Sequence, residues 1–173
     1  MAFLVEDGTG LATSNSYLSV AGFKIYHTDR KRDFSVHTDE TIQSALIEAS
    51  DYIDRRYVYV GYRTRGRAQA MEWPRSSAID VGDNLIDANS IPYEIAFSCA
   101  ELALTATAAA LIPNIEFDPS GGFVTEQTDT VGTVRHSVKY STTRGRKAFP
   151  SYGSADSLLR RLARFNLQLV RAS

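Results

Sequence analysis

Cysteine occurs once in this chain, at Cys99, so no internal disulfide and no multi-cysteine zinc site can form. A lone thiol suits a reducing compartment. The three histidines, His27, His37 and His136, are far apart, and none pairs with another at metal-ligand spacing. No apolar run reaches the roughly 18 residues of a membrane span. The longest candidate, residues 91–112, is interrupted by Glu94 and Glu101. The N-terminus lacks a basic region and turns acidic at Glu6 and Asp7, unlike a secretory signal. A protein made in the cytoplasm and making no membrane contact is therefore expected. Phosphate-binding glycine loops and nucleophile elbows are missing too. Gly8-Thr9-Gly10 is only a Gly-x-Gly, and the stretch from Asp80 to Asp87 fails the ligand spacing of a calcium loop. Asp51 and Asp54, about one helical turn apart, read as a solvated face rather than an acid/base dyad. No enzyme, no metal and no cofactor is expected.

What the chain has is a core and a segregated charge. Its 173 residues are one domain's worth, and 43% hydrophobic content suffices for a sizeable interior. The net charge of −1 hides alternating blocks. Residues 1–54 carry four basic and nine acidic side chains, and 55–75 carry six arginines against Glu72. Residues 76–130 hold nine acids and no base, and 131–173 hold nine bases against Asp156. Arginine outnumbers lysine 15 to 4, which favours planar pairing with carboxylates or phosphates. Such blocks can pair within the fold, or head to tail between copies.

Periodicity gives the elements. Residues 1–15 read as an extended arm. Ser14-Asn15-Ser16 offers cap chemistry for a helix near 16–28, with Tyr17, Val20, Ala21, Ile25 and Tyr26 as its apolar face. Thr38-Asp39-Glu40 opens a helix at 39–57, where Ile42, Ala45, Leu46, Ala49, Ile53 and Tyr57 recur at helical spacing. A long loop over 58–90 follows. Pro92 starts a third helix, 92–112, with a stripe of Ile95, Cys99, Leu102, Ala103, Ala106 and Ala110. Two β-branched runs within 123–140, separated near Gly132, predict a hairpin. A basic linker over 141–153 leads to a last helix at about 155–171, capped by Ser154.

Two regions are candidates for contact. Tyr57, Tyr59, Tyr62, Arg63, Arg65, Arg67 and Trp73 interleave aromatics with arginines. That mixture suits stacked bases and phosphates, and equally a protein interface. Trp73 also reads as a buried anchor tying the long loop to the helices. The last helix carries Leu158, Leu159, Leu162, Phe165 and Leu169 on one face and Arg160, Arg161, Arg164 and Arg171 around the rest. It either docks on a partner or closes the domain's own core.

The stretch from Gly10 to Val20, Ala49-Ser50-Asp51-Tyr52-Ile53-Asp54, Trp73-Pro74-Arg75 after a basic loop, Ile91-Pro92 before an alanine-rich helix with Ala100-Glu101-Leu102-Ala103, and Gly121-Gly122 before a strand pair occur in order. Together, over about residues 10–140, they resemble small proteins of tailed bacteriophages. Members of that group are often labelled DnaT-like single-stranded-DNA-binding proteins, while their structural kin look like head–tail connector (adaptor or head-completion) proteins. The resemblance implies a virion protein at the head–tail interface, present in host cytoplasm during assembly. It would form a homo-oligomeric, twelvefold ring between the portal protein and the next connector or tail protein, extending the viral DNA channel. The alternative it implies is single-stranded DNA binding. The expected fold is mainly α: a small helical bundle over 16–140 with a β-hairpin, and a protruding C-terminal helix in a 141–173 extension. Leu158, Leu162, Phe165 and Leu169, with Arg160, Arg161 and Arg164, would dock on the portal. Tyr59, Tyr62, Arg63, Arg65, Arg67 and Trp73 would face a neighbouring subunit or DNA.

Overall fold

The computed structural model describes residues 2–112 and 150–162, and the backbone of strands at 124–130, 135–140 and 163–165. Internal contacts divide the chain into two units, Met1–Leu111 with Ser151–Ser173, and Ile112–Pro150.

The first helix, α1 (Val20–Asp29), starts later than its sequence suggests, because Ser19 rather than Ser14–Ser16 supplies the cap and accepts from Gly22 N. The later start rotates the inward face. Phe23, Tyr26 and His27 are buried at i, i+3, i+4 spacing, whereas Ile25, expected inside, is 64% exposed. The buried His27 hydrogen-bonds through Nε2 to Ala100 O at 3.0 Å, and burial lowers its pKa and favours the neutral ring.

The longest helix, α2 (Asp39–Arg56), forms as predicted. Thr38 Oγ1 accepts from Thr41 N, acids occupy the first turn, and Arg55 and Arg56 occupy the last. All six predicted core positions from Ile42 to Tyr57 are buried. α3 (Tyr93–Ala106) begins after Pro92 and packs on α2. It stops short of residue 112: Thr107 caps it, and the alanines at 108–110 are exposed. Ile95, Cys99, Leu102 and Ala103 form the buried stripe. Fully burying a side chain the size of Ile95 or Leu102 stabilises by about 1.5–3 kcal/mol.

The long loop is a set of short pieces: β1 (Tyr57–Tyr59), β2 (Tyr62–Arg63), a single 3-10 turn at Gly66–Ala68, and β3 (Arg75–Ser76). β2 pairs antiparallel with β3. Gly61 turns between β1 and β2 at φ +80°, and a Cβ there would lie 2.4 Å from Ser76 O. In the second unit, β4 (Val124–Thr130) and β5 (Arg135–Tyr140) form the expected antiparallel hairpin, with a register irregularity between Val124 and Glu126.

The C-terminal segment departs from expectation. Instead of a helix at 155–171, α4 (Gly153–Leu159) is two turns long and packs on α3. After a turn, β6 (Ala163–Phe165) pairs antiparallel with β1, with Phe165 opposite Tyr57 and Ala163 opposite Tyr59. Among the described residues, this segment closes the domain rather than leaving it. Leu159 and Leu162 are 0% and 4% exposed. Asp156, also buried, accepts from Ser151 Oγ at 2.6 Å and from Tyr57 Oη. Tyr152 Oη donates to Leu111 O at 2.9 Å. The described residues thus make a helix-rich mixed domain with short antiparallel strand pairs.

Candidate nucleic-acid interface

The arginine–aromatic loop is held by one buried arginine. Arg75, 8% exposed, sends Nε to Val60 O (3.0 Å), Nη2 to Gly61 O (2.7 Å) and Tyr59 O (3.4 Å), and Nη1 to Glu72 Oε2 (2.7 Å) and Glu72 O (3.2 Å). One guanidinium therefore satisfies the carbonyls of a whole turn, which lysine's single ammonium cannot do. Gln69, 2% exposed, adds a second tie. Its Nε2 donates to Met71 O (2.7 Å) and Pro74 O (3.0 Å), and its Oε1 accepts from Arg65 N (3.1 Å).

This scaffold splits the predicted contact residues. Tyr59 and Trp73 are 6% and 1% exposed, with ring centroids 5.5 Å apart. They belong to the core, which corrects their reading as neighbour- or DNA-facing and bears out Trp73 as an anchor. The Trp73–Pro74 peptide is cis. Tyr57 is likewise inside. Tyr62 is 77% exposed, and Arg65 and Arg67 are exposed on the same loop. Arg63 is half-buried, with Nε 3.6 Å from Glu72 Oε1. The solvent face of the loop therefore presents two open cations and one aromatic ring.

The C-terminal candidates divide in the same way. Leu162 is buried within its own domain and Leu158 is half-buried, which corrects the proposed docking stripe. Arg164 and Phe165 lie on β6, opposite Val58 and Tyr57, rather than on a helix. Leu169 lies outside the described residues. Arg160 and Arg161 are exposed, and Arg161 donates to Tyr93 Oη at 2.7 Å and lies 3.9 Å from the buried Glu94. These arginines, with Val60, Ile79, Val81, Asp80, Asp83 and Leu162, line a cleft of about 270 Å³. Around it Val81 and Leu85 are 71% and 76% exposed.

A polar junction that the sequence did not reveal lies under the loop. Tyr17 Oη donates to Asp54 Oδ1 and accepts from Trp73 N at 3.2 Å, while Asp54 Oδ2 accepts from Glu72 N at 3.1 Å. It ties the segment just before α1, α2 and the loop together. Burial, aided by the nearby Glu72 and Asp51, raises the Asp54 carboxyl to about 7 against its two hydrogen bonds. Asp51, by contrast, is solvated as predicted, with its side chain 57% exposed. A fully buried carboxylate, Glu6, organises the arm. It accepts from Gly8 N, Gly10 N, Leu11 N and Ser14 Oγ at 2.7–3.1 Å. No local pattern marks Glu6, Asp54, Gln69 or Arg75, because their partners are set by the tertiary fold.

Among the described residues no group of three or more histidine, cysteine or acidic side chains is placed to hold a metal ion. No described helix is long and apolar enough to cross a membrane. No curated protein and no solved structure matches the chain significantly. One family model does, over residues 1–172. By that match over nearly its whole length, the chain belongs to the family described as "Putative DnaT-like ssDNA binding protein".

Proposed function

We propose that the chain contacts single-stranded DNA through the outer face of its 62–67 loop. The observation that carries this reading is the exposure of Tyr62, Arg65 and Arg67 on one loop braced from beneath, in a chain matched by that family over residues 1–172. With Tyr59 and Trp73 buried, the loop has one ring to stack on a base, so its grip is chiefly on phosphates. Two open arginines give a log affinity against log salt slope of about −1.4 for single strands. The test is fluorescence anisotropy with labelled oligothymidine across a salt series. Arg65→Glu with Arg67→Glu should remove most of the affinity and flatten the slope, and Tyr62→Ala should weaken binding without changing the slope. Unchanged affinity in the arginine variant would sink this reading.

A second reading is the ring-forming head–tail connector that the sequence resemblance implies. The exposed apolar residues Val58, Val60, Ile79, Val81 and Leu85 favour it, since a cluster of this kind suits a protein interface. With Leu162 buried, the apolar cleft lined by Val60, Ile79 and Val81 together with Arg161, rather than a protruding helix, would meet the portal, and the 62–67 loop would face DNA or a neighbouring copy. Mixing the chain with its phage's portal ring and weighing the product by native mass spectrometry separates the readings. A portal carrying a full ring of this subunit supports the connector. No association, together with salt-sensitive oligonucleotide binding, leaves the DNA-binding reading alone.

A further inference from the structure

Glu6 folds the N-terminal arm into a turn that meets the exposed loop. Its Oε1 accepts from Gly8 N and Gly10 N, and its Oε2 from Leu11 N and Ser14 Oγ, all at 2.7–3.1 Å. Four donors on one buried carboxylate fix the path of residues 6–14. Leu11 O then accepts from Ala70 N at 2.9 Å, which ties the turn to the loop. Gly10, buried at φ +74°, lies against the side chain of Arg65. We propose that this turn is the seat of Arg65, with Glu6 and Gly10 as positioning residues that hold its guanidinium ready for a phosphate of single-stranded DNA. The role rests on the single-strand reading given above.

The heavy atoms nearest to a Cβ built on Gly10 would be Arg65 Cγ at 3.1 Å, Gln69 Oε1 at 3.2 Å and Arg65 Cδ at 3.3 Å. A side chain there would push the stem of Arg65 off the arm, whereas glycine lets the stem lie on the backbone. Gln69 Oε1 accepts from Arg65 N at 3.1 Å, so the backbone of Arg65 is held as well as its stem. The residue is nonetheless exposed, which leaves its charged end to solvent. Asp7, on the same turn, accepts from Thr9 N at 2.9 Å and Thr9 Oγ1 at 2.6 Å, and forms no ion pair with Arg65 among the described residues. An arginine with a packed stem and an open guanidinium has already lost much of the rotamer freedom that binding would cost it. The arm thereby strengthens the grip on phosphate while contributing no basic side chain of its own.

The experiment is fluorescence anisotropy of the full chain with labelled oligothymidine across a salt series, run as a double-mutant cycle. Gly10→Asn is the main perturbation, because asparagine tolerates the left-handed backbone and adds bulk with little strain. It should weaken binding about two- to tenfold, the cost of ordering one long side chain. The salt slope should stay near that of wild type, since the charge still reaches a phosphate. In an Arg65→Ala background, where the slope is about halved, Gly10→Asn should have no further effect. Glu6→Gln, which sets an amide NH₂ against two of the four donors, should act as Gly10→Asn does. Urea midpoints establish that each variant is folded, and where one is not, the other supplies the readout. Wild type without DNA gives a reading that needs no variant: NOE cross-peaks from Gly10 Hα to Arg65 Hγ and Hδ are expected, and their absence overturns the seat. Unchanged affinity in both folded variants, or equal weakening with and without Arg65, overturns it too. Weakening by Gly10→Asn but not by folded Glu6→Gln overturns the part given to Glu6. No salt-dependent oligothymidine binding by wild type overturns the single-strand reading, and the seat's role with it, even where the cross-peaks are present.

Discussion

Asp54 gives this protein an unusual dependence of stability on pH. Its carboxyl stands at about 7 in the fold against an ordinary 3.8, burial being the main cause. A folded pKa raised above the unfolded one means that the contribution is fully present below the unfolded value and is lost as pH rises through the folded value. The shift is about three units, so ionised Asp54 costs about 4 kcal/mol at alkaline pH, of which about 2–3 kcal/mol accrues between pH 5 and pH 8. The matched perturbation is Asp54→Asn, which mimics the protonated acid. Its amide oxygen can take Glu72 N, and its NH₂ can donate to Tyr17 Oη after that hydroxyl turns. Glu101 acts oppositely. It is pulled below its ordinary value: burial opposes the shift but is outweighed by hydrogen bonds from Arg32 and Tyr26, so its contribution is lost only under acid. The difference between wild type and variant isolates Asp54. Urea unfolding of both proteins should show the asparagine variant gaining on wild type by about 2–3 kcal/mol from pH 5 to pH 8. A difference that stays flat across that range would refute the reasoning.

Two further outcomes follow from the buried polar groups. Arg75→Met should cost about 3 kcal/mol, because the carbonyls of Tyr59, Val60 and Gly61 lose their donor and Glu72 keeps only the more distant of its two arginines, Arg63. Arg75→Lys should recover little of it, and a urea midpoint near wild type for Arg75→Met would contradict the brace. Cys99 is fully buried, and burial pushes its thiol up to about 11. A thiol-reactive chromophore should therefore label it only as fast as the domain opens, and prompt labelling of native protein would show the thiol to be accessible.

The helix α2 was legible almost residue for residue, since its cap, first-turn acids, last-turn arginines and 3.6-residue stripe all agree. The hairpin and the start of α3 were legible for similar reasons. α1 was misread because three serines competed as caps, and choosing the wrong one rotated its face. The C-terminal segment was misread because its leucines fit a helical stripe. Ala163 and Phe165 flank Arg164 in an alternation that equally fits the strand found there. The candidate interface was half legible. The composition of the loop marked it, but nothing local distinguishes Tyr59, which is buried, from Tyr62, which is exposed.

The sequence by itself determined that no disulfide or multi-cysteine site can form, that charge is laid down in opposed blocks, and where the strongest helix runs. Those follow from composition and from interactions within a few residues. The tertiary structure decided which aromatics of the loop are available to a partner. It also decided that Asp54 is half-buried and hydrogen-bonded to Tyr17 while Asp51 stays exposed, and that Leu162 belongs to the protein's own core. Each of those depends on what a distant segment brings against the side chain: Tyr17 against α2, Arg75 beneath the loop, and β6 beside β1.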